Sequence, residues 1–432
     1  MMVNRNIVFL LCILLLVSCG NDDNSGTQDD EETMQPSVPN ILLVIADDMG
    51  LDATPNYAIG SQKPNMPNLQ NLMANGITFT NVWANPVCSP TRASILTGHY
   101  GTNNGVTRVG HQLSNSAHIL QNDMPNYATA LIGKWHLSND VNQPLSMGID
   151  YYAGILSGGV DDYESWDLIE EGVTTTSTEY VTTKLTDLAI DWVEDQDQPW
   201  FLWMAYNAPH TPFHLPPTDL HSQGDLPTNQ SSINANRLVY YLAALEALDT
   251  EMGRLLQSMT AEERDNTIII FIGDNGSPGQ VAQAYGQGKA KGSMYQGGVN
   301  VPMVISGKNV TRLNATDNNL ISATDLYDTI VELSGNTTVQ HNDSESFKDV
   351  LSHATAVNRD YLFSEVSYVG GTADFATRNL THKYIRFADN TEAFFHLAED
   401  PFEDFNLLDQ TMTSAELAIY NALKTELENT IN

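Results

Sequence analysis

The chain is poor in cysteine and in positive charge, and it has no long apolar run. Its 432 residues include only three cysteines, Cys12, Cys19 and Cys88, too few for a disulfide framework, so each needs its own explanation. Lys and Arg total 19 against 53 Asp and Glu, a formal net charge of −34. A body so acidic would repel a polyphosphate, which excludes nucleic acid as a partner. The apolar run Ile7–Val17 has 11 residues, well short of the roughly 20 that a membrane-spanning helix needs.

That run follows a single cation, Arg5, and leads into "LVSC". Residues 1–18 therefore read as an export signal, and Cys12 leaves with it. The "LVSC" ending resembles the lipobox of bacterial lipoproteins. This implies that Cys19 is lipidated and anchors an exported chain to the membrane, on the periplasmic or cell-surface side of a bacterial outer membrane. Residues 19–39, acidic, small or Pro-rich, have almost nothing to bury and read as a flexible linker. Cys88 is the only cysteine left in the folded body.

The remaining residues predict an α/β fold: a large, mostly parallel sheet flanked by helices over 40–335, and a smaller C-terminal α+β subdomain over 336–432. Four short apolar runs each lead into a polar cluster: "NILLVIADDMG" from 40, "ATALIGKWHL" from 128, "PWFLWMAYNAPH" from 199 and "NTIIIFIGDNG" from 266. They read as buried parallel strands. In an open parallel sheet the ligand crevice lies beyond the C-terminal strand ends, so the four clusters should converge. Amphipathic stretches such as that from Arg237 supply the crossovers. In the tail, "YLFSEVSY" and "HKYIRFA" are strand candidates and a helix should begin at Ser414.

Asp47, Asp48, Asp274 and Asn275 end two of these strands. They offer only hard oxygen donors, a set for calcium or magnesium and not for zinc or copper. The competing reading is two ordinary Asx turns; occurrence after two strands of one sheet favours the metal. Lys134 and His136 alternate about Trp135 and, if extended, project to one side. His210 follows Ala208-Pro209, and Lys291 sits in the Gly-rich "GKAKGSMYQGG". "SPTRASILTG" predicts a helix with Pro90 near its first position, Arg92 one turn in and Gly98 as its stop. Cys88 then lies at a helix N-terminus, where free N–H groups favour an anion; the alternative is an inert buried thiol.

"CSPTRASILTG" is similar to the signature of the formylglycine-dependent (type I) sulfatases of the alkaline phosphatase superfamily. "ADDMG", "GKWHL", "APHTP", "GDNG" and "KGSMYQGG" match that family's other motifs in order, and "HLAEDPFEDFNLL" resembles its closing segment. The resemblance implies that Cys88 is oxidised to formylglycine before folding, by a formylglycine-generating or sulfatase-maturating enzyme. It further implies that one hydroxyl of the hydrated aldehyde attacks sulfur and that deprotonation of the second expels sulfate. Asp47, Asp48, Asp274 and Asn275 would bind calcium. Arg92 and Lys134 would hold the formylglycine, and Lys134 with Lys291 would neutralise the sulfate oxygens. His210, with Lys291, would protonate the leaving oxygen, and His136 would deprotonate the second hydroxyl.

The implied substrate is sulfated oligo- or polysaccharide. Two alternatives remain: a phosphonate monoester or phosphodiester hydrolase of the same superfamily, and a non-catalytic glycan-binding lipoprotein. The sequence departs from the family at Gln296 and Asn300, which stand where a Glu and an Arg are frequent, and at Ser138, where Gly is frequent. Proximity to the motifs adds His99, His111, Asp161, Asp162, Trp166 and His214 as substrate-pocket candidates.

Overall fold

Four runs apolar at nearly every position can be satisfied only where both faces of a sheet are covered, and that is where they lie. The computed structural model describes residues 38–337 and 343–432; the expected signal, Cys19 and nearly all of the acidic linker fall outside the described residues. In chain order the first strands are β1 (Asn40–Ala46), β2 (Gly76–Trp83), β3 (Ala128–Lys134), β4 (Tyr151–Ile155), β5 (Trp166–Glu170) and β6 (Val173–Ser177). Then follow β7 (Trp200–Ala205), β8 (Thr267–Gly273), β9 (Met303–Gly307) and β10 (Ala315–Ser322).

These ten form one sheet in the order β10-β2-β9-β8-β1-β7-β3-β4-β5-β6. The four strands read from the sequence are the adjacent β8, β1, β7 and β3, mutually parallel and buried at every residue. The sheet is mixed toward its edges. "VNVPMVISG" forms β9, which runs antiparallel between β8 and β2, and β4, β5 and β6 form an antiparallel extension.

Alternate residues of the central strands feed two cores. Leu43, Ile45, Trp203 and Ile270 pack with Ala93, Ile95, Ile330 and Val331 from the helices Cys88–Thr97 and Leu326–Leu333. Leu42, Val44, Met204 and Phe271 pack with Leu185, Leu245, Leu248 and Met252 from the helices Val181–Glu194 and Arg237–Ser258 on the opposite face. Burying each such side chain contributes roughly 1.5–3 kcal/mol.

The tail strands β11 (Leu362–Ser367), β12 (Ala373–Arg378), β13 (His382–Arg386) and β14 (Glu392–His396) form a second, antiparallel sheet in sequence order. The helix Ser414–Ile431 starts where expected, its Thr413 cap and Glu416 exchanging hydrogen bonds. Leu423 and Leu427 of this helix cover Tyr384 and Phe394 on one face of the small sheet. Its other face, Ala376, Ile385 and Phe395, joins Trp83, Met294 and Val299 of the large unit.

Adjacent central strands approach unusually closely at Gly133, whose φ is +120°. A Cβ there would lie 1.9 Å from the Ala205 carbonyl oxygen. Gly105 has φ +84° with open space around it. Gly133→Ala should therefore lower the unfolding free energy by about 3 kcal/mol, combining clash and backbone strain. Gly105→Ala should cost about 1 kcal/mol, the conformational penalty alone. Paired denaturant titrations check this; equal losses would mean that the strand contact is not tight.

Candidate active site

The C-terminal ends of β1, β8, β7 and β3 bring their polar clusters to one place. Asp47 and Asp48 leave β1, and Asp48 turns through φ +75°, a left-handed conformation that Asp tolerates better than most residues. The Asp48 N–H donates to Asp274 Oδ1 at 3.0 Å, and the Tyr241 hydroxyl donates to the Asp48 carbonyl at 2.8 Å. Asp47, Asp274 and Asn275 are fully buried and Asp48 is 1% exposed.

Each carboxylate meets a cation from a different element. Lys134, the last residue of β3, places Nζ 2.6 Å from Asp47 Oδ2. Arg92 donates Nε and Nη2 to Asp274 Oδ2 at 3.1 and 2.8 Å, and Nη1 to the Lys134 carbonyl at 2.8 Å. Lys291 Nζ donates to Asp48 Oδ1, which also accepts from Asn275 Nδ2 at 2.8 Å. Burial, the largest single influence, pulls the Lys291 ammonium toward its neutral form, but Asp48, Cys88 and Asp47 together outweigh it and raise the pKa above the usual value.

Cys88 is the first residue of its helix, so Pro90 falls at the third position, two residues later than expected, while Gly98 ends the helix with φ +67°. All ten helix residues are buried. Burial pushes the Cys88 thiol pKa up, with Lys134 opposing. His136 is not extended as the alternation predicted but has φ +58°. Trp135 still turns into the core, bonded to Gln143 at 2.9 Å, and His136 Nδ1 comes to 3.3 Å from Cys88 Sγ. Burial, then Lys134 and Arg92, pull the His136 pKa down to about 3, leaving a neutral imidazole. His210 Nδ1 lies 2.8 Å from the Thr211 carbonyl. That contact assigns the proton to Nδ1 and leaves Nε2 facing Asp48 Oδ2 at 3.8 Å.

Two buried acceptors, Asp47 Oδ1 and Asn275 Oδ1, have no hydrogen-bond partner among the described residues. Leaving such an atom unsatisfied costs about 1–3 kcal/mol. Ligand atoms of Asp47, Cys88 and Asp274 lie within 4.8 Å of one another, as do those of Asp47, Asp48 and His210. Orphaned oxygens among carboxylates fit a hard divalent cation such as calcium.

Of the pocket candidates, two are built into the scaffold. His214 stacks on Tyr163 at 3.7 Å and bonds the Tyr180 hydroxyl, and burial lowers its pKa to about 4. Trp166 is 4% exposed and donates to the Glu179 carbonyl. His99 sits beside Asp343 and His111 accepts from Arg108. Asp161 and Asp162 are exposed, and Asp161 lines a 340 Å³ cavity with Gly159 and Ser157. A separate cavity of 400 Å³ opens onto Asp48 and Lys291.

Sequence reading passed over Gly158 and Gly159, which look like an ordinary turn. A Cβ on Gly158 would stand 2.7 Å from the His136 ring, and one on Gly159 would stand 3.0 Å from His210 Nδ1. Their bare backbone lies across both imidazoles. The departures from the family pattern find neutral partners. Gln296 Oε1 accepts from Trp83 Nε1 at 3.0 Å, Asn300 Nδ2 donates to the Thr80 carbonyl at 3.2 Å, and Ser138 Oγ accepts from the Asp140 N–H.

The family profile described as "Sulfatase" matches residues 39–336. The uncharacterized sulfatase YdeN of Escherichia coli is 30% identical over 356 residues, covering 68% of this chain and 62% of its own length. Rat arylsulfatase G is 28% identical, covering 70% of this chain and 66% of its own, so the chain spans under two thirds of both relatives. A sulfatase of Formosa agariphila is 26% identical over 90% of this chain and 86% of its own. Among solved structures, Ps i-CgsB in complex with k-i-k-neocarrahexaose superposes with a TM-score of 0.79 at 24% identity, covering 91% of this chain and 92% of the other. BT4656 in complex with its substrate D-glucosamine-2-N,6-O-disulfate gives 0.76 at 21%, covering 91% and 98%. The two structures share the fold seen here, and the match over residues 39–336 carries the assignment: this chain belongs to the sulfatase family.

Proposed function

We propose that the protein hydrolyses sulfate esters of oligo- or polysaccharides, with residue 88 acting as formylglycine and calcium held by Asp47, Asp48, Asp274 and Asn275. The observation that carries this reading is the buried, charge-matched cluster beside Cys88 with two oxygens that accept no hydrogen bond among the described residues. Three carboxylates and three cations sum to zero, so a bound dication would leave the cluster at +2, a complement to an anionic ester. The sulfated glucosamine bound to BT4656 and the oligosaccharide bound to Ps i-CgsB support saccharide as the substrate class.

Calcium, when bound, would supply positive charge against the oxygens of a sulfuryl group. Formylglycine would supply, as its hydrate, an oxygen nucleophile and a second hydroxyl through which the aldehyde re-forms. The chain's own residues do the rest. Arg92, fixed by three hydrogen bonds, holds Asp274 and the Lys134 carbonyl in register. Lys134 and Lys291 carry the charge that meets the sulfate oxygens. His136, neutral and 3.3 Å from Cys88 Sγ, would accept a proton from the group at position 88. His210, its Nδ1–H held by the Thr211 carbonyl, presents Nε2, which would give a proton to the leaving oxygen when the ring is doubly protonated. In the same reading a maturating enzyme acts on Cys88, and lipidated Cys19 anchors the exported chain at the periplasmic or surface side of a bacterial outer membrane. No helix among the described residues is long and apolar enough to cross a membrane.

Turnover of an aryl sulfate, compared with the phosphate and phosphonate esters of the same alcohol, tests the activity; a sulfated-saccharide panel scored for free sulfate tests the substrate class. In active protein, peptide mass spectrometry should find an aldehyde at residue 88. Cys88→Ala should lower kcat by a factor on the order of 10⁴ or more, with little change in melting. A homogeneous thiol with full activity would exclude the formylglycine mechanism.

Exhaustive chelation should abolish turnover and lower the melting temperature, because an ion bound only to the native state stabilises it, by about 2.7 kcal/mol at one hundred times its Kd. Calcium should restore both. If chelation moves neither turnover nor melting, the carboxylate cluster is not a metal site.

A further inference from the structure

The loop bearing Lys291 is gripped by the chain's closing segment on both sides of that residue. On one side, Lys289 Nζ donates to the carbonyls of Phe402 and Glu403 at 3.0 and 2.8 Å and to Asp404 Oδ1 at 2.7 Å. On the other, Glu403 Oε2 accepts the backbone N–H of Gln296 at 2.5 Å. The Phe402 ring meets the Tyr285 ring edge-on at 5.7 Å. The loop also closes on itself: a Cβ at Gly297 would stand 2.3 Å from the Lys289 carbonyl oxygen.

The Glu403 side chain is fully buried, and a closed circuit holds it in place. Its Oε1 lies 2.6 Å from Lys383 Nζ, itself fully buried on β13. The Lys383 ammonium stands 5.0 Å from the centre of the Trp83 ring, and Trp83 donates to Gln296 Oε1 at 3.0 Å. Gln296 returns to Glu403 through its N–H. With Asn300 in place of a cation, a carboxylate at 296 would add an unpaired negative charge beside Glu403, so the amide fits this circuit. The loop has other ties, Lys291 N–H to the Ser277 carbonyl at 3.1 Å and Gly292 N–H to the Pro86 carbonyl at 2.8 Å. These alone would hold Lys291 if the tail were mere packing.

We propose that Glu403 and Lys289 are positioning residues for Lys291: the tail segment Phe402–Asp404 sets where the Lys291 ammonium stands opposite Asp48. The proposal rests on the reading of Lys291 as a sulfate contact. The consequence is specific, because a loosened loop should weaken affinity for the sulfate group rather than only reduce the amount of folded enzyme.

The test uses the full, matured chain with three variants, Lys289→Gln, Lys289→Arg and Glu403→Gln. Lys289→Gln should raise KM for an aryl sulfate and Ki for inorganic sulfate together, by about fivefold, with a smaller change in kcat. Lys289→Arg, whose fork reaches the same oxygens, should return both to within about twofold of wild type. Glu403→Gln should raise Ki at least as much and also lower melting, since Lys383 is left buried without its counter-charge. Amide exchange at Lys291 and Gly292 should quicken about tenfold in Lys289→Gln while β13 stays protected. Unchanged Ki in Lys289→Gln and Glu403→Gln, or a loss confined to kcat in proportion to folded protein, would overturn the proposal. If the wild type turned over no sulfate ester, the sulfatase function would fall by itself. The positioning claim would then stand or fall on exchange, and unchanged protection over residues 289–296 in both variants would overturn it.

Discussion

Three carboxylates shut away from water at the ends of two neighbouring strands each need a partner of opposite charge, and the rest of the site is arranged around supplying it. Asp47, Asp48 and Asp274 take their cations from β3, from the Gly-rich loop and from the buried helix in turn. None of these partners is near in sequence. The strand order that puts β3 two places from β1, and the docking that drives Arg92 under the sheet ends, are therefore conditions for the site and not a neutral frame. Removing one partner of a buried pair costs about 3–5 kcal/mol because the remaining charge has nowhere to go.

Legibility of the sequence follows the same physics. β1, β3, β7 and β8 could be read because strands covered on both faces are apolar without interruption, and the polar residues that break the runs mark the crevice. Nothing in such a run encodes direction, so the antiparallel course of β9 was beyond reach. In the tail, β11 and β13 were visible, whereas β12 (Ala373–Arg378) and β14 (Glu392–His396) mix buried and half-exposed positions and carry too weak a pattern. The helix at Cys88 was readable from Pro90 and Gly98, yet it starts two residues early, at Cys88, after an apolar Val87 that makes no side-chain cap bond and so gives no start signal.

Within the site, the charged and nucleophilic side chains were picked out together, by the order of the motifs that carry them. Gly158 and Gly159, which leave room by lacking a side chain, were not, since the need for that room exists only once His136 and His210 lie against them. Glu403 is a third kind. Its segment stood out as a closing motif, but its contact with Gln296 links positions 107 residues apart, and no local pattern reveals a partner at that distance. The small sheet likewise looks self-contained in sequence, although one of its faces is completed by Trp83, Met294 and Val299.

Cys88 is 2% exposed on a helix with no exposed residue. Under the proposed formylglycine reading, oxidation of its sulfur would have to precede docking of that helix, so modification and folding would compete in time for the same segment. An altered and an unaltered chain would then differ by a few atoms at one buried position. Two samples of identical sequence would then differ in what they do, and the difference would record the order of events during synthesis.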